Sequence, residues 1–390
     1  MIIYSLLKSQ LRRPVFRAQV QKRLNCSGSE SPLRKLLRDS SSFGEIQIDK
    51  APDGDLLWAT QPYAVKASEE PTRGVDPTEA TVLLFPGQGS EWVGMGQCLD
   101  SVPAAKELYE FASSIVGWDV ARVCRRGPAD ELRRRCQTAV LVTSLGALEL
   151  ARERRRGAVE RVRAAAGFSL GEITALVYAG ALSLERALRL TELRGAAMRA
   201  AAAERAGGML TVWLAPDAQL ARLLAAAREA ARAPDLPDPV LVVASYLYPG
   251  CKVLAGDDRA LRWVEREGRA LGVRRAARVA VGGAFHSPLM ARAEDAVRHA
   301  VRALQLAPPR VPLVSCVDAA PVRDAAAARR RLARLTAAPV RWEQALHRLY
   351  ARPRSAPQPF TVALGPGAAL RATLRQVNAR AWDASVLVDV

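Results

Sequence analysis

Histidine is scarce in this 390-residue chain: only His286, His299 and His347 occur. Three scattered imidazoles do not suggest a metal cluster, and no bound metal is expected. The six cysteines (Cys26, Cys98, Cys124, Cys136, Cys251 and Cys316) show no C-x-x-C pair and no knuckle spacing, which argues against a disulfide framework and a zinc module. Aromatic residues make up only 5% of the chain, so the core must be built from Ala, Val and Leu, and few rings are left for stacking on bases. No apolar run reaches the roughly 18 residues that a membrane span needs. The run Ala139–Leu150 reads as a buried helix. Lysine contributes only 7 of the 57 basic residues, and the other 50 are arginine.

Against these absences stands an ordinary globular composition, 49% apolar and 25% charged, with a formal charge of +18. A surplus of that size raises a polyanionic partner: nucleic acid, a membrane surface or an acidic protein. No recognisable RNA-binding motif accompanies it. The surplus is not at the N-terminus, because residues 80–390 hold 45 of the basic and 29 of the 39 acidic residues. Arg133–Arg135, Arg154–Arg156 and Arg329–Arg331 are candidates for a basic face, although an arginine-biased composition accounts for much of the excess.

The first 29 residues contain no Asp or Glu, and Lys8, Arg12, Arg13, Arg17, Lys22 and Arg23 alternate there with Ile2, Ile3, Leu6, Leu7, Leu11, Val15 and Phe16. An acid-free, basic, amphipathic start fits a mitochondrial transit peptide better than a plain basic tail. Residues 30–79, rich in Ser, Asp and Pro, read as linker or irregular lead-in. From Thr81 the pattern is α/β. Thr81–Phe85 reads as a buried strand broken by Pro86-Gly87-Gln88-Gly89. Helices are expected near 104–115, 138–153, 170–179 and 184–200, with strands at 164–168, 313–317 and 360–364. Residues 207–280 read in the order β-α-β-β-α-β, that of a ferredoxin-like unit. The expected division is a large α/β subdomain over 80–206 and 281–390, with a small inserted subdomain over 207–280.

Gly167-Phe168-Ser169-Leu170-Gly171, set between a strand and a helix, has the G-x-S-x-G form of a nucleophile elbow. Its glycines let strand and helix close up around a strained serine, and the following helix offers free N–H groups to an oxyanion. A glycine-rich turn before a helix fits the same residues. A serine nucleophile needs a base. His286, in a loop at a strand end, is the candidate; His299 and His347 sit among Arg and Ala in helices. Arg194 by its position alone is one arginine among many.

The chain resembles malonyl-CoA:acyl carrier protein transacylases of mitochondrial type. The resemblance spans roughly residues 81–388 and rests on ordered motifs: FPGQGSEWVGMG at Phe85–Gly96, GFSLGE at Gly167–Glu172, LRGAAM at Leu193–Met198, GAFHSPLM at Gly283–Met290, PVRW at Pro339–Trp342 and GPG at Gly365–Gly367. It implies an α/β-hydrolase-like large subdomain carrying the ferredoxin-like one. It further implies Ser169 as nucleophile, His286 as base oriented by a backbone carbonyl, the N–H groups of Gln88 and Leu170 as oxyanion hole, and Arg194 on the malonyl carboxylate. Malonyl-CoA would be a substrate, so no cofactor is expected. Acyl carrier protein would be the partner, the matrix the compartment and a monomer the working form. Leu335 stands where the family has Gln, and Ser245 and Cys316 where it has Asn; both of the latter are expected to line the cleft. A serine esterase, a nucleic-acid-binding protein and a catalytically impaired relative are the competing possibilities.

Overall fold

The computed structural model describes residues 80–353 and 355–390. The expected transit segment and lead-in lie outside the described residues. In chain order, β1 (Thr81–Phe85) and β2 (Val162–Gly167) begin one sheet, while β3 (Gly207–Leu214), β4 (Leu241–Tyr248), β5 (Cys251–Asp257) and β6 (Val273–Arg278) build a second. The strands β7 (Leu313–Val314) and β8 (Pro321–Val322) return to the first sheet, β9 (Val340–Arg341) crosses to the second, and β10 (Phe360–Leu364) and β11 (Ser385–Val388) complete the first.

The first sheet runs β11-β10-β1-β2-β7-β8 and is parallel except for the β7–β8 pair. All five residues of β1 are buried, as expected of a central parallel strand covered on both faces. The helix α2 (Cys136–Arg154) packs against β10 and β11, and α1 (Pro103–Val116) packs in turn on α2. Every residue of α2 from Cys136 to Ala151 is buried. That is why its sequence reads as an apolar run rather than an amphipathic stripe. The helices α3 (Leu170–Tyr178) and α4 (Leu184–Glu204) follow β2.

The second sheet has the order β6-β3-β5-β4, antiparallel throughout, with α5 (Leu220–Ala231) and α6 (Asp258–Glu267) packed on one face. This is the expected ferredoxin-like unit on an α/β-hydrolase-like body. Its fifth strand, β9, comes from outside 207–280 and pairs in parallel with β4 through Ser245 and Tyr246. After β9 the chain enters α8 (Trp342–Leu349), while α7 (Ala291–Ala303) lies between β6 and β7 in sequence.

Two strand expectations need correction. The run Leu313–Val317 is strand only at Leu313–Val314. The next two residues turn away because Ser315 Oγ and the Cys316 N–H donate to the buried carboxylate of Glu172, at 2.8 and 2.7 Å. The strand expected over Val273 to Val281 ends at Arg278; the Val279 N–H still donates to the Met209 carbonyl at 3.0 Å, and Val279 and Val281 line a cavity.

Candidate active site

Ser169 sits between β2 and α3 with φ 50° and ψ −106°, a conformation that an L-residue adopts only under constraint. The flanking glycines supply that constraint. A Cβ on Gly167 would lie 1.9 Å from the backbone of Gly171, and one on Gly171 would lie 2.2 Å from the Phe85 carbonyl oxygen. Strand and helix therefore close to a separation that only glycine permits, and the serine is pushed out at the turn.

His286 is the second of only three non-glycine residues with positive φ among the described residues, at 59°. The Ser169 hydroxyl and His286 Nε2 are 2.8 Å apart, and His286 Nδ1 lies 2.9 Å from the Ala338 carbonyl oxygen. A carbonyl can only accept, so Nδ1 carries the proton and Nε2 is left to accept from the serine. Both side chains are buried. Burial, and then the neighbouring Arg194 charge, push the imidazole down from its usual range to about 3. The ring is therefore neutral and able to accept a proton at physiological pH. The orienting carbonyl is that of Ala338, not of Leu335, the position that aligns with the family glutamine. The Leu335 carbonyl faces Arg194 instead, at 3.3 Å. His299 and His347 are exposed on α7 and α8, away from the pair.

Arg194, on α4, is 1% exposed. Its guanidinium donates to Ser169 Oγ at 3.1 Å, to Gln137 Oε1 at 3.0 Å and to the Leu335 carbonyl, while Nε has no partner among the described residues. No described carboxylate pairs with it. Burial lowers it only to about 10, so it remains a cation. A desolvated guanidinium beside a serine hydroxyl, held by neutral acceptors alone, is a site made ready for an anion.

Gln137 was not legible from the sequence. It lies on the buried helix α2 and bridges Arg194 to Gln88, donating from Nε2 to Gln88 Oε1 at 3.1 Å. A polar residue directly preceding the expected apolar helix was the available signal. Gln88 itself lies in the loop after β1, drawn so close to the elbow that a Cβ on Gly87 would meet the Phe168 carbonyl oxygen at 2.4 Å. Leu170 is the first residue of α3, so its N–H has no acceptor within the helix.

These groups open onto a cavity between the two sheets. Gln88, Ser169 and His286 form its polar end, and Met209, Trp213, Leu247 and Val253 are among the apolar walls contributed by the second sheet. Of the two asparagine replacements, Ser245 lines this cavity. Cys316 does not; it is buried behind Ser169, where its backbone holds Glu172. Among the described residues, no group of His, Cys, Asp and Glu is placed to hold a metal, and no helix is long and apolar enough to cross a membrane.

A family model described as acyl transferase domain matches residues 82–380. The chain is 42% identical over 313 residues to the Drosophila melanogaster protein named "Probable malonyl-CoA-acyl carrier protein transacylase, mitochondrial", covering 80% of this chain and 83% of that one. It is 37% identical over 316 residues to the Homo sapiens mitochondrial malonyl-CoA-acyl carrier protein transacylase, with coverage of 80% and 81%. Among solved structures, the acyl-carrier-protein S-malonyltransferase of Burkholderia pseudomallei matches with a TM-score of 0.70 at 28% identity, covering 80% of this chain and 97% of that one. A malonyl-transacylase in complex with its type II PKS acyl-carrier protein matches with a TM-score of 0.70 at 27% identity, covering 80% and 96%. With a family match over most of its length and relatives of this identity and coverage, the chain belongs to the acyl transferase family, among its malonyl-CoA-acyl carrier protein transacylases.

Proposed function

We propose that this protein moves the malonyl group of malonyl-CoA to the phosphopantetheine thiol of acyl carrier protein, in mitochondrial fatty acid synthesis. The observation that carries this reading is the buried Arg194 guanidinium, without a carboxylate of its own, 3.1 Å from the hydroxyl oxygen of a serine that is paired with a neutral histidine. An esterase for neutral acyl groups has no use for that cation. A malonyl thioester brings a carboxylate to it and places its carbonyl carbon at the serine.

The chemistry follows from the residues. His286 Nε2 takes the Ser169 proton as Oγ attacks the thioester carbon. The N–H groups of Gln88 and Leu170 receive the developing oxyanion. The tetrahedral intermediate collapses with loss of the CoA thiolate, which takes the proton from His286 and leaves as the thiol. A malonyl-Ser169 ester remains. In the second half, His286 accepts the proton of the phosphopantetheine thiol as its sulfur attacks the ester, and then returns it to Ser169. Two half-reactions through one serine give ping-pong kinetics. Arg194 holds the carboxylate in both, which fixes the acyl group and selects for it.

The acid-free N-terminus and the mitochondrial names of the relatives support a mitochondrial address, in the matrix, and the protein works there as a monomer. The test is mass spectrometry of the intact protein after mixing with malonyl-CoA. A malonyl adduct on Ser169 that disappears when holo-acyl carrier protein is added is the expected result. An adduct lost equally fast without carrier protein would show a hydrolase instead.

A further inference from the structure

The residues from Ala338 to Glu343 connect His286 to both sheets. The Ala338 carbonyl holds His286 Nδ1. Val340 and Arg341 form β9 and pair with Ser245 and Tyr246 of β4, so this short strand ties the second sheet to the first body. The Arg341 N–H donates to the Cys316 carbonyl at 2.6 Å. Trp342 is fully buried, with its ring edge-on to Phe168 at 5.6 Å between centroids, directly beside Ser169. Glu343 then reaches back across to the second sheet, where its Oε2 accepts from Lys252 Nζ at 2.6 Å.

Lys252 is the only lysine in β5, and its side chain is 11% exposed, against 5% for Glu343. Its ammonium also donates to the Tyr248 carbonyl at 2.9 Å and lies 5.5 Å from the Tyr246 ring centroid. It thereby ties down the Tyr248 end of the turn Tyr248–Cys251, whose two end residues line the cavity beside Ser169. Taking two charges out of water at this depth costs about as much as their attraction returns, so the pair adds little net stability. What it adds is position: one bond spans the two bodies at the point where the wall of the cavity meets the strap that orients the base.

We propose that Lys252 and Glu343 form a positioning pair that seats the second sheet against the Ser169–His286 pair and keeps water from the acyl-enzyme. The proposal rests on the acyl-serine route given above. A loosened second sheet would widen the cavity and admit water to the ester carbonyl, where His286 can serve it as a general base. Water would then add to the malonyl-Ser169 ester, releasing malonate and free serine.

The experiment measures, on enzyme preloaded from malonyl-CoA, the rate of malonate release without carrier protein and the rate of transfer with it. Glu343→Gln keeps the shape and an acceptor oxygen; Lys252→Met removes the charge; Lys252→Arg retains it. Glu343→Gln and Lys252→Met are expected to form the adduct but to hydrolyse it about tenfold faster while transferring more slowly. Lys252→Arg is expected to stay close to the parent. Melting temperature is followed in parallel. If Glu343→Gln and Lys252→Met melt lower but hydrolyse their adducts at the parental rate, the pair is structural only and the proposal is overturned. Absence of any adduct in the parent protein would instead overturn the acyl-serine reading on which the proposal rests.

Discussion

Arg194 Nη2 donates to Ser169 Oγ at 3.1 Å, from a guanidinium that is buried and pairs with no described carboxylate. The Ser169 hydroxyl thus carries two contacts, one to a neutral imidazole and one to a cation. On the proposed function the second contact gives selectivity: an incoming carboxylate exchanges a neutral oxygen for an anion at the guanidinium, whereas an uncharged acyl group leaves it as it was.

Replacing Arg194 with Ala is accordingly expected to lower kcat/KM for malonyl-CoA by about a hundredfold and to change acetyl transfer less than about fivefold. Lys at this position keeps the charge but not the fork that meets Oγ, Gln137 and the Leu335 carbonyl together, and is expected to restore little. Steady-state rates for the two acyl-CoA substrates check this; equal losses for both would contradict the role.

Ser169→Ala and His286→Ala are each expected to remove several powers of ten from the transfer rate, and the double variant little more, because the two act as one unit. Adduct mass spectra separate them. The serine variant forms none, and the histidine variant forms one slowly.

The pH dependence follows from His286. Its folded-state value of about 3 lies below the ordinary 6.5, so between these values the unfolded chain binds a proton that the folded chain refuses. The stability linked to this group is complete above pH 6.5 and is lost as pH falls toward 3. Melting temperatures are therefore expected to decline on acidification through that window, and less steeply in His286→Asn. In kcat/KM, the acidic limb is expected below pH 5 rather than near 6.5.

Gly167→Ala places a methyl 1.9 Å from the Gly171 backbone. Backbone cannot move aside as a side chain can, so a loss of about 3 kcal/mol or more is expected from denaturant unfolding. A stable, active Gly167→Ala protein would show that the elbow is looser than its geometry.

Glu172 offers a quieter test. Its carboxylate receives Ser315 Oγ and the Cys316 N–H in a fully buried position. Glu172→Ala leaves both donors unsatisfied, at about 1–3 kcal/mol each, whereas Glu172→Gln keeps an acceptor and is expected to unfold nearer the parent.

The arginine surplus also looks different in the folded chain. Arg329 is turned onto the carbonyls of Val301, Arg302 and Leu304 at the end of α7, and Arg331 onto Asp318. One of the clusters expected on a basic face is thus engaged in holding the protein together. Arg133 and Arg156 carry exposed partners three or four residues away, contacts of little energetic weight that leave their charge available at the surface.

The sequence by itself determined the elements whose chemistry is local. The run Thr81–Phe85 is a strand because both its faces are apolar, and Gly167-Phe168-Ser169-Leu170-Gly171 turns sharply because only glycine tolerates the approach. Ser169, His286 and Arg194, which the structure brings together, each stand in one of the ordered motifs. Tertiary structure decided what depends on distance through space. It chose the Ala338 carbonyl, and not that of Leu335, to orient His286. It set Gln137, which no motif marked, between Arg194 and Gln88. It cut the strand at Leu313–Val314 short because a carboxylate some 140 residues away in sequence claimed the next donors. It also joined Lys252 to Glu343 across two bodies, a pairing that neither residue's neighbours announce. Backbone conformation and burial pattern are written in adjacent residues; hydrogen-bond partners in a cleft between two sheets are fixed only when the sheets meet.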